Sequence, residues 1–254
     1  MTTAFARLQF LSSDIEVLET VGSTNDYLKE KAGNPPGLPE GSVIWARNQT
    51  AGKGQQNKSW NTAPGENITL SILLKPADLL ASEAFMLSKA MAFGVHSTLT
   101  QLIGQGISIK WPNDIFIGKQ KIAGILIENI IQGDFVKQSV VGIGINVNQK
   151  DFLIDTNPAS LAMITGETYD LKEVVLDLLE NISIFYLQLQ LKNYTKINSE
   201  YVRNLHHVSQ EQTFLIHNLE TICQIQDVLE NGSIVLSIDG KKEVYLYGDA
   251  KWKI

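Results

Sequence analysis

From Val141 to Asn148 every second residue is apolar, and the residues between carry no side chain or a short amide: Val141-Gly142-Ile143-Gly144-Ile145-Asn146-Val147-Asn148. A period of two belongs to a β-strand. Ile143, Ile145 and Val147 share one face; Gly142, Gly144, Asn146 and Asn148 share the other. Such a strand must lie in a sheet with its branched face on a core. Its bare face admits either a closely packed helix or a closely approaching ligand, and the pattern alone does not choose.

The surrounding pattern supplies the rest of an α+β domain. The Pro/Gly-rich stretch 33–41 separates a helix at about 24–32 from an apolar strand, Ser42–Ala46. Ile68–Leu74 reads as a buried strand, and 82–103 carries apolar residues at helical spacing. Ser108–Trp111, Ile115–Ile117, Ile122–Glu128 and Ser139–Asn146 read as strands, with a hairpin over 115–128. Residues 171–204 read as helical. Beyond His206-His207 the texture changes to short strands, Thr213–Ile216, Glu220–Val228, Ile234–Ile238 and Glu243–Tyr247. Asn231-Gly232 and Asp239-Gly240 sit where tight hairpin turns need them. The expected division is a large domain over 1–206 and a small all-β domain over 207–254, too thin in core to stand comfortably alone.

Composition narrows the classes of function. A length of 254 residues fits one large domain, or one large and one small. With 44% apolar and 19% charged residues the chain is no disordered segment. The net charge of −6 argues against nucleic acid as the main partner. The single cysteine, Cys223, cannot form an internal disulfide, which fits a reducing compartment. Scattered histidines and one cysteine exclude a zinc site of the usual spacing. The start, Met1 to Arg7, has no signal-peptide pattern, and no apolar run is long enough to cross a membrane, so a cytoplasmic protein with no membrane partner is expected.

Four clusters carry polar or cationic residues. Gly22-Ser23-Thr24-Asn25-Asp26 reads on its own as the N-cap of a helix, but its hydroxyls and the free N–H groups there also suit a small polar ligand. Gln49-Thr50-Ala51-Gly52-Lys53-Gly54-Gln55-Gln56-Asn57-Lys58-Ser59-Trp60 is neither a Walker A loop nor a Rossmann fingerprint. It is a surface loop, or a glycine-flanked lysine loop closing over an anion. Lys110-Trp111-Pro112-Asn113-Asp114 precedes Lys121-Ile122-Ala123-Gly124-Ile125-Leu126-Ile127-Glu128. Simple alternation puts Lys121 on the face of Ala123, Ile125 and Ile127, either snorkelling to water or meeting an anion. The fourth cluster is the bare strand, 141–148. Cys223, His96 and the pair His206-His207 read as ordinary core or surface positions.

Taken together and in this order, these motifs resemble the biotin–protein ligase family. The resemblance covers most of 15–150 and, more weakly, the C-terminal β region; the block 110–114 is its most specific part. It implies a mixed-sheet catalytic domain of the class II aminoacyl-tRNA synthetase/biotin ligase type, followed by a small SH3-like β-barrel. It also implies the form without an N-terminal DNA-binding domain. The implied reaction activates biotin as biotinyl-5′-AMP at the expense of ATP, with Mg²⁺, and passes it to a lysine of a biotin carboxyl carrier protein. By position, Ser23, Thr24, Asn25, Gln49, Gly52, Lys53, Gly54, Gln55, Lys121 and Gly124 would meet biotin. Lys53, Trp60, Lys110, Asn113 and Asn146 would meet ATP, and Lys121, Asp114 and Lys53 would act in the chemistry. Asp114 would orient the incoming amine or help hold Mg²⁺ through water. A homodimer is compatible with the family.

One departure stands out. The family's loop is richer in arginine, whereas this chain has Gln55-Gln56-Asn57, so weaker retention of the adenylate is expected. A lipoate–protein ligase, with the same adenylation logic, and a non-catalytic biotin- or carrier-binding protein are the competing readings. Pyrophosphate release with biotin against lipoate, and a mass gain on a carrier domain, separate them.

Overall fold

The computed structural model describes residues 15–152, 157–208 and 210–253. The expectation for residues 1–7 lies outside the described residues. A seven-stranded mixed sheet is formed by β1 (Ile15–Leu18), β2 (Val43–Ala46), β3 (Ile68–Leu74), β4 (Ile107–Lys110), β5 (Asp114–Ile117), β6 (Gln120–Gln132) and β7 (Phe135–Ile145), in the order β1-β2-β3-β7-β6-β5-β4. Only β1 and β2 run parallel; every other neighbouring pair is antiparallel.

The register sorts the side chains by face. Ile68, Leu70 and Ile72 pair with Ile145, Ile143 and Val141. These residues and Ile125 belong to one buried cluster with residues of the two long helices, α2 (Phe85–Ile103) and α4 (Leu171–Gln190). The opposite face carries Ile44, Leu73 and Val140 at one end, buried with Leu28 of α1 (Thr24–Gly33). Toward the other end this face is stripped to Thr69, Ser71, Gly142 and Gly144; the start of α1 packs on Gly142 through Asn25, and a cleft opens beyond it. Of the two readings of the bare face at 141–148, close helix packing holds at Gly142, which meets Asn25 of α1, while Gly142 and Gly144 also line the cleft.

Several expectations need correction. Residues 171–204 are not one helix: the chain turns at Lys192, whose φ of 55° lies in the left-handed region, and resumes as α5 (Tyr194–Arg203). The helix expected from 82 begins as a short 3-10 turn, Ala81–Glu83. The strand expected over 139–146 starts at Phe135 and forms a long hairpin with β6. β1 and a short helix, α3 (Leu161–Thr165), are additional to the expected elements; Ser160 caps the start of α3 and Gly166, at φ 79°, ends it.

The C-terminal region forms a five-stranded antiparallel sheet of β8 (Glu211–Ile216), β9 (Leu219–Val228), β10 (Ile234–Ile238), β11 (Lys241–Tyr245) and β12 (Ala250–Lys253), ordered β11-β10-β9-β8-β12. The edge strands β11 and β12 are not laddered together, so the expected small barrel is open. This sheet docks on the large domain, sharing its buried apolar cluster and adding buried polar contacts to α2 and Trp111. The fully buried Lys89 of α2 donates to Asn198 of α5 and to the Val228 carbonyl of β9. Trp111 Nε1 donates to the Gly232 carbonyl at 3.1 Å. Neither donor would be tolerated at this depth without its acceptor.

Candidate functional site

The cleft has a volume of about 740 Å³, within the usual range for a small-molecule site. Its polar end is the start of α1. Ser23 takes extended backbone angles and its hydroxyl accepts from Asp26 N–H, as an N-cap should. Thr24 and Asn25 are buried. Gln49 Oε1 accepts from Thr24 N at 2.7 Å and from the Thr24 hydroxyl at 3.0 Å. Ser71 donates from the sheet to Asn25 Oδ1 at 2.6 Å, and Asn25 Nδ2 donates to Glu128 Oε2 at 2.7 Å. A Cβ at residue 142 would lie 2.4 Å from Asn25 Oδ1, so glycine is required there.

The middle of the floor holds the lysine. In the pairing of β5 with β6, Ile115 faces Ala123 but Phe116 faces Lys121, leaving Ile122 as an extra residue. This bulge turns Lys121 off the face of Ala123 and Ile125, where simple alternation put it, and onto the face of Asp114, Phe116 and Gly124. Lys121 Nζ is 2.6 Å from Asp114 Oδ1. A Cβ at residue 124 would meet Nζ at 3.3 Å. The Trp60 ring lies across the same floor: Lys121 Nζ is 5.4 Å from its centroid, and a Cβ at residue 144 would come within 2.3 Å of Trp60 Cε2.

The loop 49–60 folds over this floor. Trp60 N donates to Gly52 O at 2.9 Å and Gly54 N to Lys58 O at 2.7 Å, closing the loop on itself. Lys53 reaches Asp26 at 2.5 Å, and Asp26 also pairs with Lys29, which pairs with Glu128. Burial opposes it, but the hydrogen bonds from Lys53 and Lys29 hold the Asp26 carboxyl below its ordinary value. Gln56, at φ 53°, occupies a left-handed position that suits glycine.

At the other end Lys110 stands opposite Asp114 in the β4–β5 ladder, its Nζ 5.3 Å from the Phe116 ring centroid. Burial lowers the Lys110 pKa, opposed by the Asp114 charge. Asn113 Nδ2 donates to Ile125 O at 2.7 Å and Asn146 Nδ2 to Ala159 O at 2.9 Å, so both amides also fix backbone around the cleft.

Every site residue expected from the sequence lines this cleft except Gly52. Gly52 is buried behind the loop, where a Cβ would strike the Trp60 carbonyl oxygen at 2.3 Å. The sequence reading missed Phe116, Phe152 and Pro158, and it missed the wall built by Tyr247, Gly248, Ala250, Lys251 and Trp252 of the C-terminal region. The motif order gave no sign of that wall; it exists only because the second sheet docks beside β4. Ser71 and Glu128 stand behind the polar end; the latter closes the motif 121–128.

No helix among the described residues is long and apolar enough to cross a membrane. Among them no group of three or more His, Cys, Asp or Glu side chains could hold a metal ion.

Comparison with known proteins agrees with this geometry. The chain is 27% identical over 239 residues to the biotin--[acetyl-CoA-carboxylase] ligase of Mycobacterium tuberculosis, covering 92% of this chain and 87% of that one. It is 35% identical over 161 residues to the bifunctional ligase/repressor BirA of Bacillus spizizenii, covering 62% of this chain and 49% of the relative. The chain thus spans about half the length of that ligase/repressor. The biotin protein ligase of Aquifex aeolicus, solved in complex with biotin and ATP, superposes with a TM-score of 0.79 at 25% identity, covering 95% of this chain and 99% of that one. The profile of the biotin/lipoate A/B protein ligases matches residues 17–146, which hold the N-cap, the loop, the lysine strand and the glycine floor, and the chain belongs to that family.

Proposed function

We propose that this chain is an ATP-dependent biotin–protein ligase, which forms biotinyl-5′-AMP and passes the biotinyl group to a lysine of a biotin carboxyl carrier protein of acetyl-CoA carboxylase or a related carboxylase. The observation that carries the reading is the Lys121 ammonium, turned by the bulge onto a glycine floor between the polar α1 end and the Lys110 end of one cleft. The mycobacterial biotin ligase supports biotin as the acid, and the Aquifex ligase in complex with biotin and ATP supports ATP as the activating substrate.

In the first step a biotin carboxylate oxygen attacks the α-phosphorus of ATP, and the bond to the β-phosphate oxygen breaks to release pyrophosphate. Two anions must meet, so a cation at the meeting point lowers the barrier. Lys121 occupies that point. Ser23, Thr24, Asn25 and Gln49 offer hydrogen bonds to the polar ring of biotin, and Gly124 gives its chain room beside Lys121, while Gly142 and Gly144 admit Asn25 and the Trp60 ring. Lys53, Gly54 and Gln55 cover it, with Gly52 shaping the loop from behind. Lys110, Asn113, Asn146 and Trp60 serve the nucleotide. In the second step the carrier's neutral ε-amine attacks the acyl carbon and AMP leaves; Asp114 orients that amine. Mg²⁺ enters on the triphosphate as part of that substrate, with Asp114 the cleft carboxylate nearest Lys121.

We place the boundary of the catalytic domain at 206/207, after the segment in which Leu205 bridges Ile109 of β4, and the protein in the cytoplasm, consistent with its lone, buried Cys223. Incubation with ATP, a carrier domain and either biotin or lipoate tests the reading. A biotin-sized mass gain on the carrier is expected; a gain only with lipoate, or none with either acid, overturns it.

A further inference from the structure

Of the residues that close the cleft, Tyr247 touches it from the C-terminal region. It lies just before Gly248, whose φ of 109° lets the chain turn sharply into β12. Its hydroxyl donates to Gln55 Oε1 at 2.7 Å, joining residues far apart in the chain. Its ring meets Trp111 edge-on, with centroids 5.4 Å apart, and Trp111 is itself buried and tied to Gly232. Tyr247 and Gln55 both line the large cleft and also a neighbouring pocket of about 160 Å³, so the pair forms part of the partition between them. A phenol is protonated at neutral pH, so the Tyr247 hydroxyl is free to donate.

Gln55 has no charge with which to grip a phosphate. Its amide oxygen is instead engaged by the tyrosine, on the side of the second sheet. We propose that Tyr247 is a positioning residue that latches the loop 52–60 over the bound adenylate, so that retention of the intermediate depends on a hydrogen bond from the C-terminal region rather than on loop cations. This rests on the adenylate-forming reading above. It makes the C-terminal sheet part of the lid, with Gln55 as the point of attachment.

The test follows release of adenylate formed from radiolabelled biotin and ATP, without carrier, in Tyr247→Phe, Gln55→Ala and the double variant of the full chain. Tyr247→Phe removes one hydroxyl and keeps the ring on Trp111. Release is expected to rise roughly 5-fold, the scale of one hydrogen bond. Gln55→Ala is expected to do the same, and the double variant to be no worse than the worse single one. Release unchanged in Tyr247→Phe, or effects that simply multiply in the double variant, overturn the latch. If the unaltered chain forms no adenylate, the ligase reading falls and the latch with it; if it forms adenylate and Tyr247→Phe retains it equally well, the latch alone falls.

Discussion

Lys121 and Asp114 form an ion pair at 2.6 Å because one extra residue, Ile122, interrupts the β5–β6 ladder between them. Without that bulge the lysine would point at the buried cluster beneath Ile125, where a charge has no partner. The irregularity in the sheet delivers the cation to the cleft.

Lys121→Ala is expected to lower adenylate formation by roughly 10²-fold, the scale of losing one charge that stabilises a transition state. Biotin-dependent pyrophosphate exchange measures it. Turnover near that of the unaltered chain would remove Lys121 from the chemistry.

The two floor glycines should fail differently. Gly142→Ala drives a methyl to 2.4 Å from the buried Asn25 Oδ1, so the KM for biotin should rise tenfold or more. Gly144→Ala meets the Trp60 ring at 2.3 Å, so the KM for ATP should suffer more than that for biotin. Steady-state kinetics with each substrate varied in turn tells the two apart.

Glu128 carries the weight behind the polar end. Glu128→Ala leaves the Asn25 amide, in a buried residue, without its acceptor and Lys29 without its inner partner. Loss of a buried donor's partner costs ~1–3 kcal/mol, and the KM for biotin should rise about tenfold. Glu128→Gln retains an acceptor and should fall between the two. Equal KM values in all three proteins would show that Asn25 needs no such support.

His206 gives the fold a pH dependence. Burial, and then the nearby His207, Lys110 and Lys119, push its pKa down to about 4, while its Nδ1 lies 2.9 Å from the Ser108 hydroxyl. In the unfolded chain a histidine titrates near ~6.5. Between these values the unfolded state binds the extra proton and the folded state does not, so stability rises with pH. The contribution is complete above about 6.5 and is lost as pH falls towards 4. Urea midpoints at pH 7 and pH 5 should differ more for the unaltered protein than for His206→Gln.

Gln56 occupies a left-handed position in the loop. Gln56→Gly should relieve that conformation without adding charge, and Gln56→Arg should add a cation. Slower adenylate release in the arginine variant alone would assign retention to charge; equal release in both variants and the unaltered chain would show that position 56 does not govern it.

Much of this protein was legible in the residues. The alternation at 141–148 gave a sheet strand with one bare face, and the cap at 23–26, the loop at 49–60 and the block at 110–114 marked positions that do converge on one cleft. These are local signals, set by strand period, capping chemistry and glycine's lack of a side chain. The break at Lys192 was not legible, because a non-glycine residue in the left-handed region leaves no compositional trace. Nor was the direction of Lys121: a bulge shifts a side chain from one face to the other with no change in the residues themselves. The Tyr247–Gln55 contact and the C-terminal wall arise from the docking of two sheets through Lys89 and Trp111. Sequence period sets which way a residue faces only while the ladder stays regular; bulges in the pairing and packing between elements far apart in the chain decide what that residue meets.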